Sequence, residues 1–158
     1  MIGSANDNDE AAADAPVAPE EEARPAFGPL IAATLVAPDL DAAAGAYTTC
    51  FGYEVRARGS ITMLLAEAWT LPRSGGASQI VLGPANGAAV EIRLIGGPEH
   101  PDYEPLRTYG WASIELTVAD VDALALTLKD SPFTIIGQPP DLDFSDAIRA
   151  MQLRGPCQ

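Results

Sequence analysis

The 158-residue sequence predicts an α+β fold: two βαβββ repeat units forming one cupped mixed-sheet domain, the second unit lacking its last strand. Three observations predict it. First, PDLDAAAGAYTTCFGYEV (38–55) returns as ADVDALALTLKDSPFTII (119–136). Asp39, Leu40, Asp41 and Val55 are matched by Asp120, Val121, Asp122 and Ile136 at a constant offset of 81 residues. Second, each copy follows a short apolar run of strand formers. Third, each is followed by further such runs broken by turn residues.

The first unit is expected over residues 28–98. IAATLVA (31–37) reads as a strand that Pro38-Asp39 stops. The Asp39 carboxylate can accept from the free amides of a following helix. In that helix Leu40, Ala44, Tyr47 and Phe51 recur at spacings of four, three and four, which puts them on one face. Gly52 then serves as the C-terminal stop. YEVRARGSITMLLAEAWTL reads as strand, turn and strand, or as one long bent strand. SQIVLGPA (78–85) and AAVEIRLIG (88–96) read as strands joined by a tight turn at Asn86-Gly87.

Residues 99–109 form a linker, and the second unit is expected over 110–158. In WASIELTVA, Ala112, Ile114, Leu116 and Val118 alternate with Trp111, Ser113, Glu115 and Thr117, the pattern of a strand with one wet face. Asp120 caps a second helix with an apolar face of Val121, Leu124 and Leu128, ended by Ser131-Pro132. FTIIGQPP and SDAIRAMQLR read as two further strands. A unit of this kind cannot cover its own sheet, so the two copies are expected to pair around one core and curve a free face into a cup. Such a cup is a natural seat for a small molecule.

Charge and composition exclude some partners. The net charge is −13, from 22 Asp and Glu against 9 Lys and Arg, which disfavours nucleic acid and anionic membrane. Residues 1–27 hold seven of the acids and one base, with almost no large apolar side chain before Phe27, and are expected to be a disordered acidic leader. They lack the basic start and apolar run of a secretory signal. The longest apolar stretch, GPLIAATLVAP, is far short of a membrane span. A cytoplasmic protein is therefore expected. Cys50 and Cys157 are too few for a disulfide framework and read as two reduced thiols.

The motif VAPDLDAAAGAYTTCFGYEV, its echo from Trp111, and the strand–helix–three-strand order resemble the vicinal oxygen chelate superfamily. That group contains glyoxalase I, extradiol dioxygenases and bleomycin-resistance proteins. The resemblance covers residues 28–158 and implies the cupped fold. It also implies metal-ligand positions: a histidine on each copy's first strand, seven residues before the capping Asp, and a glutamate on each fourth strand. Here the first-strand positions are Ala32 and Ser113, which offer no good donor to a divalent ion. The fourth strand of the first copy carries Glu91, and the matching position of the second falls beyond Gln158. No metal is therefore expected in this chain, unless residues beyond Gln158 or another subunit complete a site at Glu91.

What remains is a polar set for a metal-free site. Glu91 and Arg93 lie two apart on one strand and so share a face. Glu91 is the candidate general base, and Arg93 can hold a carboxylate through two parallel hydrogen bonds. The competing reading of the pair is a solvated edge or a buried ion pair with no catalytic role. Ala32, Thr34, Trp69, Trp111, Ser113 and Glu115 are the further candidate lining residues, whereas Tyr47 has the spacing of a core residue. His100, in PEHPDY, reads as a solvated loop histidine. The expected function is binding of a small organic molecule in the cup, with isomerase or lyase chemistry. The alternatives are the front half of a metal-dependent glyoxalase- or dioxygenase-like enzyme, and a drug-sequestering module. A homodimer is expected.

Overall fold

In a computed structural model, the residues described are 28–98, 101–104, 107, 113–142 and 145–157. The chain enters β1 (Ala32–Ala37) and turns at Pro38-Asp39 into α1 (Leu40–Phe51). The cap is as the sequence predicts. Asp39 has an extended backbone, and its Oδ1 accepts from the Ala42 amide at 2.9 Å. Gly52 closes the helix in the left-handed conformation (φ 67°), where a β-carbon would be strained.

After β2 (Tyr53–Ser60) comes a departure from expectation. Residues 61–71 do not form a second strand. They hold α2 (Met63–Ala68), whose first turn is capped by the Thr62 hydroxyl accepting from the Leu65 amide at 3.1 Å. The reason lies in the side chains: Met-Leu-Leu-Ala-Glu-Ala contains only strong helix formers and no β-branched residue. A short 3₁₀ turn (Pro72–Ser74) follows, then β3 (Ser78–Pro84) and β4 (Glu91–Gly96). At the expected turn the Gly87 amide donates to the Pro84 carbonyl at 3.1 Å, but β4 begins later than residue 88.

These strands make a four-stranded mixed sheet in the order β1-β4-β3-β2. β1 and β4 run parallel, and the other neighbours antiparallel. The register pairs Ala33 with Ile92, Leu35 with Leu94, and Ala37 with Gly96, while Ile80 and Leu82 of β3 stand opposite Leu94 and Ile92. Residues directly opposite share a face, so these positions form one apolar surface, and α1 packs on it. Ala43, Ala44, Ala46 and Tyr47 of α1 are buried in one cluster with Ala37, Ile80, Leu82, Ile92 and Leu94. Gly96 permits the close approach: a β-carbon there would stand 3.3 Å from Leu40 Cδ1.

Residues of the expected second unit join the same core. Its helix α3 (Val121–Thr127) is capped by Asp120, whose Oδ1 accepts from the Asp122 and Ala123 amides, both at 2.9 Å. Leu128 and Phe133 are buried in the α1 cluster, with Leu116, Leu124, Ile135, Met151 and Leu153 packed around it. Phe133 meets Tyr47 and Phe51 edge-on at ring distances of 5.5 and 4.9 Å. The expected strand from Trp111 is a second departure. Trp111 and Ala112 lie outside the described residues, and 113–118 form no ladder. Alternation sorts side chains to two sides, but a strand also needs a partner for its amides and carbonyls. The run SDAIRAMQLR is two strands rather than one. β7 (Ser145–Arg149) pairs with β6 (Asp141–Leu142), and β8 (Gln152–Arg154) with β5 (Thr134–Gly137). Among the described residues the two units thus share a core rather than a ladder.

Burial leaves a titration signature. Cys157 packs at the edge of this core, and burial pushes its thiol from the ordinary 9.0 up to about 11. Burial likewise raises Tyr47, with the Cys157 and Tyr53 charges adding to the effect. Both groups are neutral when protonated, so the folded state holds their protons more tightly than the unfolded state does. Their stabilising contribution is complete below the unfolded value and is lost as pH rises through the folded one.

Two outcomes are expected. In thermal unfolding followed by circular dichroism, the midpoint should fall between pH 9 and pH 11, and Cys157→Ala should flatten part of that fall. Phe133→Ala should cost about 3–5 kcal/mol in a urea titration, since it empties the contact between the two units. A cost near that of a surface substitution would show that the units do not depend on this contact.

Candidate functional site

The face of the sheet turned away from α1 is set by the same alternation. Ala32, Thr34 and Val36 of β1 stand opposite Glu91, Arg93 and Ile95 of β4, and Gln79 and Val81 of β3 stand opposite Ile95 and Arg93. Four of the sequence-predicted residues, Ala32, Thr34, Glu91 and Arg93, are therefore side by side on one surface. Successive same-face positions on a strand are about 6.6 Å apart. The row along β4 runs from Glu91 through Arg93 to Ile95.

α2 covers one end of this surface. Ile61, Ala66 and Ile95 are buried together, with Leu65, Trp69 and Ala77 against them. Trp69, a fifth predicted residue, ends α2 and lies beneath the Arg93 guanidinium, 5.3 Å from ring centroid to Cζ. Stacking of this kind holds the guanidinium plane while leaving its N–H edges free to donate. The next residue, Thr70, has φ 58°, a left-handed conformation rare for a β-branched side chain. It lies where the chain leaves α2, directly after the ring on which Arg93 rests.

Electrostatics mark this end of the molecule. Arg56, Arg58, Arg107 and Arg149 pair with Glu54, Asp41, Glu104 and Asp122. Arg93 and Arg73 have no acid or hydrogen-bond partner among the described residues, and neither has the Glu91 carboxylate. Glu91 and Arg93 therefore share a face without forming an ion pair with each other. Both are half-buried.

The other predicted residues stand apart. Ser113 and Glu115 are exposed, and no hydrogen bond or ion pair ties them to this surface. Trp111 and His100 lie outside the described residues, as does the acidic leader. The metal-ligand positions implied by resemblance offer a methyl at Ala32, a hydroxyl at Ser113 and the carboxylate of Glu91. Among the described residues no group of three or more His, Cys, Asp or Glu side chains could hold a metal ion. The donor set does not fit a divalent cation.

Three residues here escaped the sequence reading. Gln79 lies on the same surface. Its Nε2 donates to the Ser60 carbonyl at 3.4 Å, while its Oε1 is buried without a partner. The period-two pattern of SQIVLGPA carried that signal, because Gln79 and Val81 must share a face. Arg73 and Ser74 line a cavity of about 270 Å³ with Val36, Ala77, Ile95, Gly96, Gly97 and Pro98. They sit in the 3₁₀ turn Pro72–Ser74, in a stretch between two expected strands to which the sequence assigned no element.

The comparisons with known proteins agree with this architecture. The family model described as Glyoxalase/Bleomycin resistance protein/Dioxygenase superfamily matches residues 30–157. Among solved structures, the chain is similar to UcmS2, with 23% identity and a TM-score of 0.51, over 75% of this chain and 85% of that one. It is also similar to a glutamate-to-glutamine mutant of glyoxalase I from Zea mays, with 19% identity and a TM-score of 0.56, over 80% of this chain and 41% of that one. At such identities the likeness speaks for the fold alone. Among curated proteins none matches significantly. Among the described residues no helix is long and apolar enough to cross a membrane. The four-stranded mixed sheet, the helix on one of its faces and a family match over most of the sequence together lead to one statement: the chain belongs to the glyoxalase/bleomycin resistance protein/dioxygenase superfamily.

Proposed function

We propose that the open face of the four-stranded sheet binds a small organic molecule, and that Glu91 moves a proton on it in a metal-independent isomerase or lyase reaction. The observation that carries this reading is the register of β1 with β4. It aligns Glu91 and Arg93 with Ala32 and Thr34 on the side opposite α1, with Arg93 stacked on Trp69 and free of any acid.

The chemistry follows from those groups. A carboxylate can take a proton from a carbon next to a carbonyl, becoming a carboxylic acid, while the electron pair moves onto the carbonyl oxygen as an enolate. The Arg93 guanidinium, fixed by Trp69, can donate hydrogen bonds to that oxygen or to a substrate carboxylate. Return of the proton from Glu91 to a different carbon gives an isomer. Departure of a leaving group from the neighbouring carbon gives elimination. Ala32, in place of a bulkier donor, leaves room above the β1–β4 pair. No step is routed through a metal. A cytoplasmic location is part of the reading, supported by the two-cysteine content.

Glu91→Gln is the first test, because it keeps the shape and hydrogen-bonding capacity of the side chain and removes the base. Turnover of an enolisable acid should fall by about a hundredfold or more, while binding of that acid, measured by calorimetry, changes little. Unchanged turnover would remove Glu91 from the chemistry. Binding without turnover in the unaltered protein would instead mark a sequestering module.

A homodimer is the second element of the reading. It is supported by the outer edge of β1, which pairs with no strand among the described residues, and by exposed Leu30, Ile31, Val36 and Val90 beside it. Light scattering coupled to size-exclusion chromatography should give twice the chain mass at micromolar concentration. Ile31→Lys should shift the population to monomer. A monomer at all concentrations would remove the dimer from the reading.

A further inference from the structure

The cavity at the Ile95 end of the open face has a composition that selects a ligand class. Its floor and walls are apolar, from Val36, Ala77, Ile95 and Pro98, with the backbone of Gly96 and Gly97. Its polar side chains are Arg73 and Ser74, and among the described residues no acid lines it. Neither side chain has a hydrogen-bond or ion-pair partner among the described residues. The neighbouring amides are already occupied. Gly97 donates to the Ala37 carbonyl, Ser74 to Leu71, Gly75 to Pro72 and Ala77 to Ser74. The free donors are therefore the guanidinium and the hydroxyl.

The chain carries 22 acids against 9 Lys and Arg, and four arginines elsewhere are paired with carboxylates. A cavity whose described lining holds an unpaired cation and no acid is a local reversal of the overall charge, and it attracts anions against a repelling background. A guanidinium beside a hydroxyl matches a carboxylate, which accepts two parallel N–H bonds and a third from the hydroxyl. The apolar walls require the rest of the ligand to be hydrocarbon. The volume, about 270 Å³, lies just below the ~300–1,000 Å³ that takes drug-sized ligands, so a single ring or a short chain fits.

We infer that this cavity binds small apolar carboxylic acids, with the carboxylate on Arg73 and Ser74 and the hydrocarbon against Val36, Ile95 and Pro98. The inference adds a ligand class to the function proposed above. It rests on that reading only in taking the open face as the binding surface. Ile95 is four residues from Glu91, about 13 Å along the strand, so the cavity's selectivity does not depend on what Glu91 does.

The test uses the full chain with benzoate and its uncharged counterpart benzamide, titrated by calorimetry up to about ten millimolar. Benzoate should bind at least about tenfold more tightly than benzamide, the margin that a charge-assisted hydrogen bond supplies. Arg73→Gln should remove that margin, Ser74→Ala should reduce it, and Arg73→Lys should keep part of it. Glu91→Gln should leave benzoate affinity within about twofold, since its charge lies beyond a Debye length of ~10 Å. Equal binding of the two probes, no benzoate binding at all, or full preference retained in Arg73→Gln would each overturn the inference. Loss of benzoate preference in Glu91→Gln alone would place the carboxylate at the other end of the face and overturn it too. A Glu91→Gln protein that keeps both turnover and benzoate preference would defeat the proposed catalytic role while leaving this site standing.

Discussion

The seating of α1 on one face of the four-stranded sheet is the constraint from which the other features follow. Three alanines, Ala43, Ala44 and Ala46, and the absence of a side chain at Gly96 let the helix lie close to β1, β4 and β3. Close packing of small groups excludes water from both surfaces, and buried apolar area is worth about 25 cal/mol per Å². Once that face is taken, every second residue of each strand is committed to the core. The residues between them, Glu91 and Arg93 among them, are delivered to the opposite side. The same helix extends Tyr47 and Phe51 toward Phe133 and so joins the second unit to the first. One helix thus joins residues of both expected units in one core and leaves the far face of the sheet uncovered by it.

The free face is not uniform. α2 covers one end, where Ile95 is buried, and the residue after it, Trp69, lies beneath the Arg93 guanidinium. Toward Glu91 and Thr34 the face is more open. A polar residue in such a place has its charge partly desolvated but still reachable, the condition under which one hydrogen bond to a ligand counts for more than it does in water. The acidic surface adds to this contrast. Arg56, Arg58, Arg107 and Arg149 are tied to nearby carboxylates, whereas Arg73 and Arg93, next to the open face, have no such partner among the described residues.

Much of this was legible in the residues because the relevant forces are local. Asp39 and Asp120 cap helices through hydrogen bonds to amides two or three residues on, so their role needs no knowledge of the fold. Gly52 is legible for the same reason. The misreadings came where a local pattern had two solutions. MLLAEA after Ile61 is as apolar as a strand, and its helical state follows from propensity and from the Thr62 cap rather than from hydrophobicity. The alternation in Ser113–Val118 is real, with Leu116 turned to the core, yet it forms no ladder. Arg73 gave no sign of itself, because a turn residue acquires a setting only when distant segments close around it.

The amino-acid order was enough to place the two capped helices and to put Glu91 and Arg93 on a common side of one strand. Each of these depends on identity or on spacing within a few residues, where the period of a strand or helix sets geometry directly. Three things required the folded chain: which side of β4 faces away from α1, the stacking of Trp69 on Arg93, and the closing of a cavity by Val36, Arg73 and Pro98. These depend on contacts between segments far apart in the chain. Burial of apolar surface selects such contacts without regard to order along the backbone, so no local spacing encodes them.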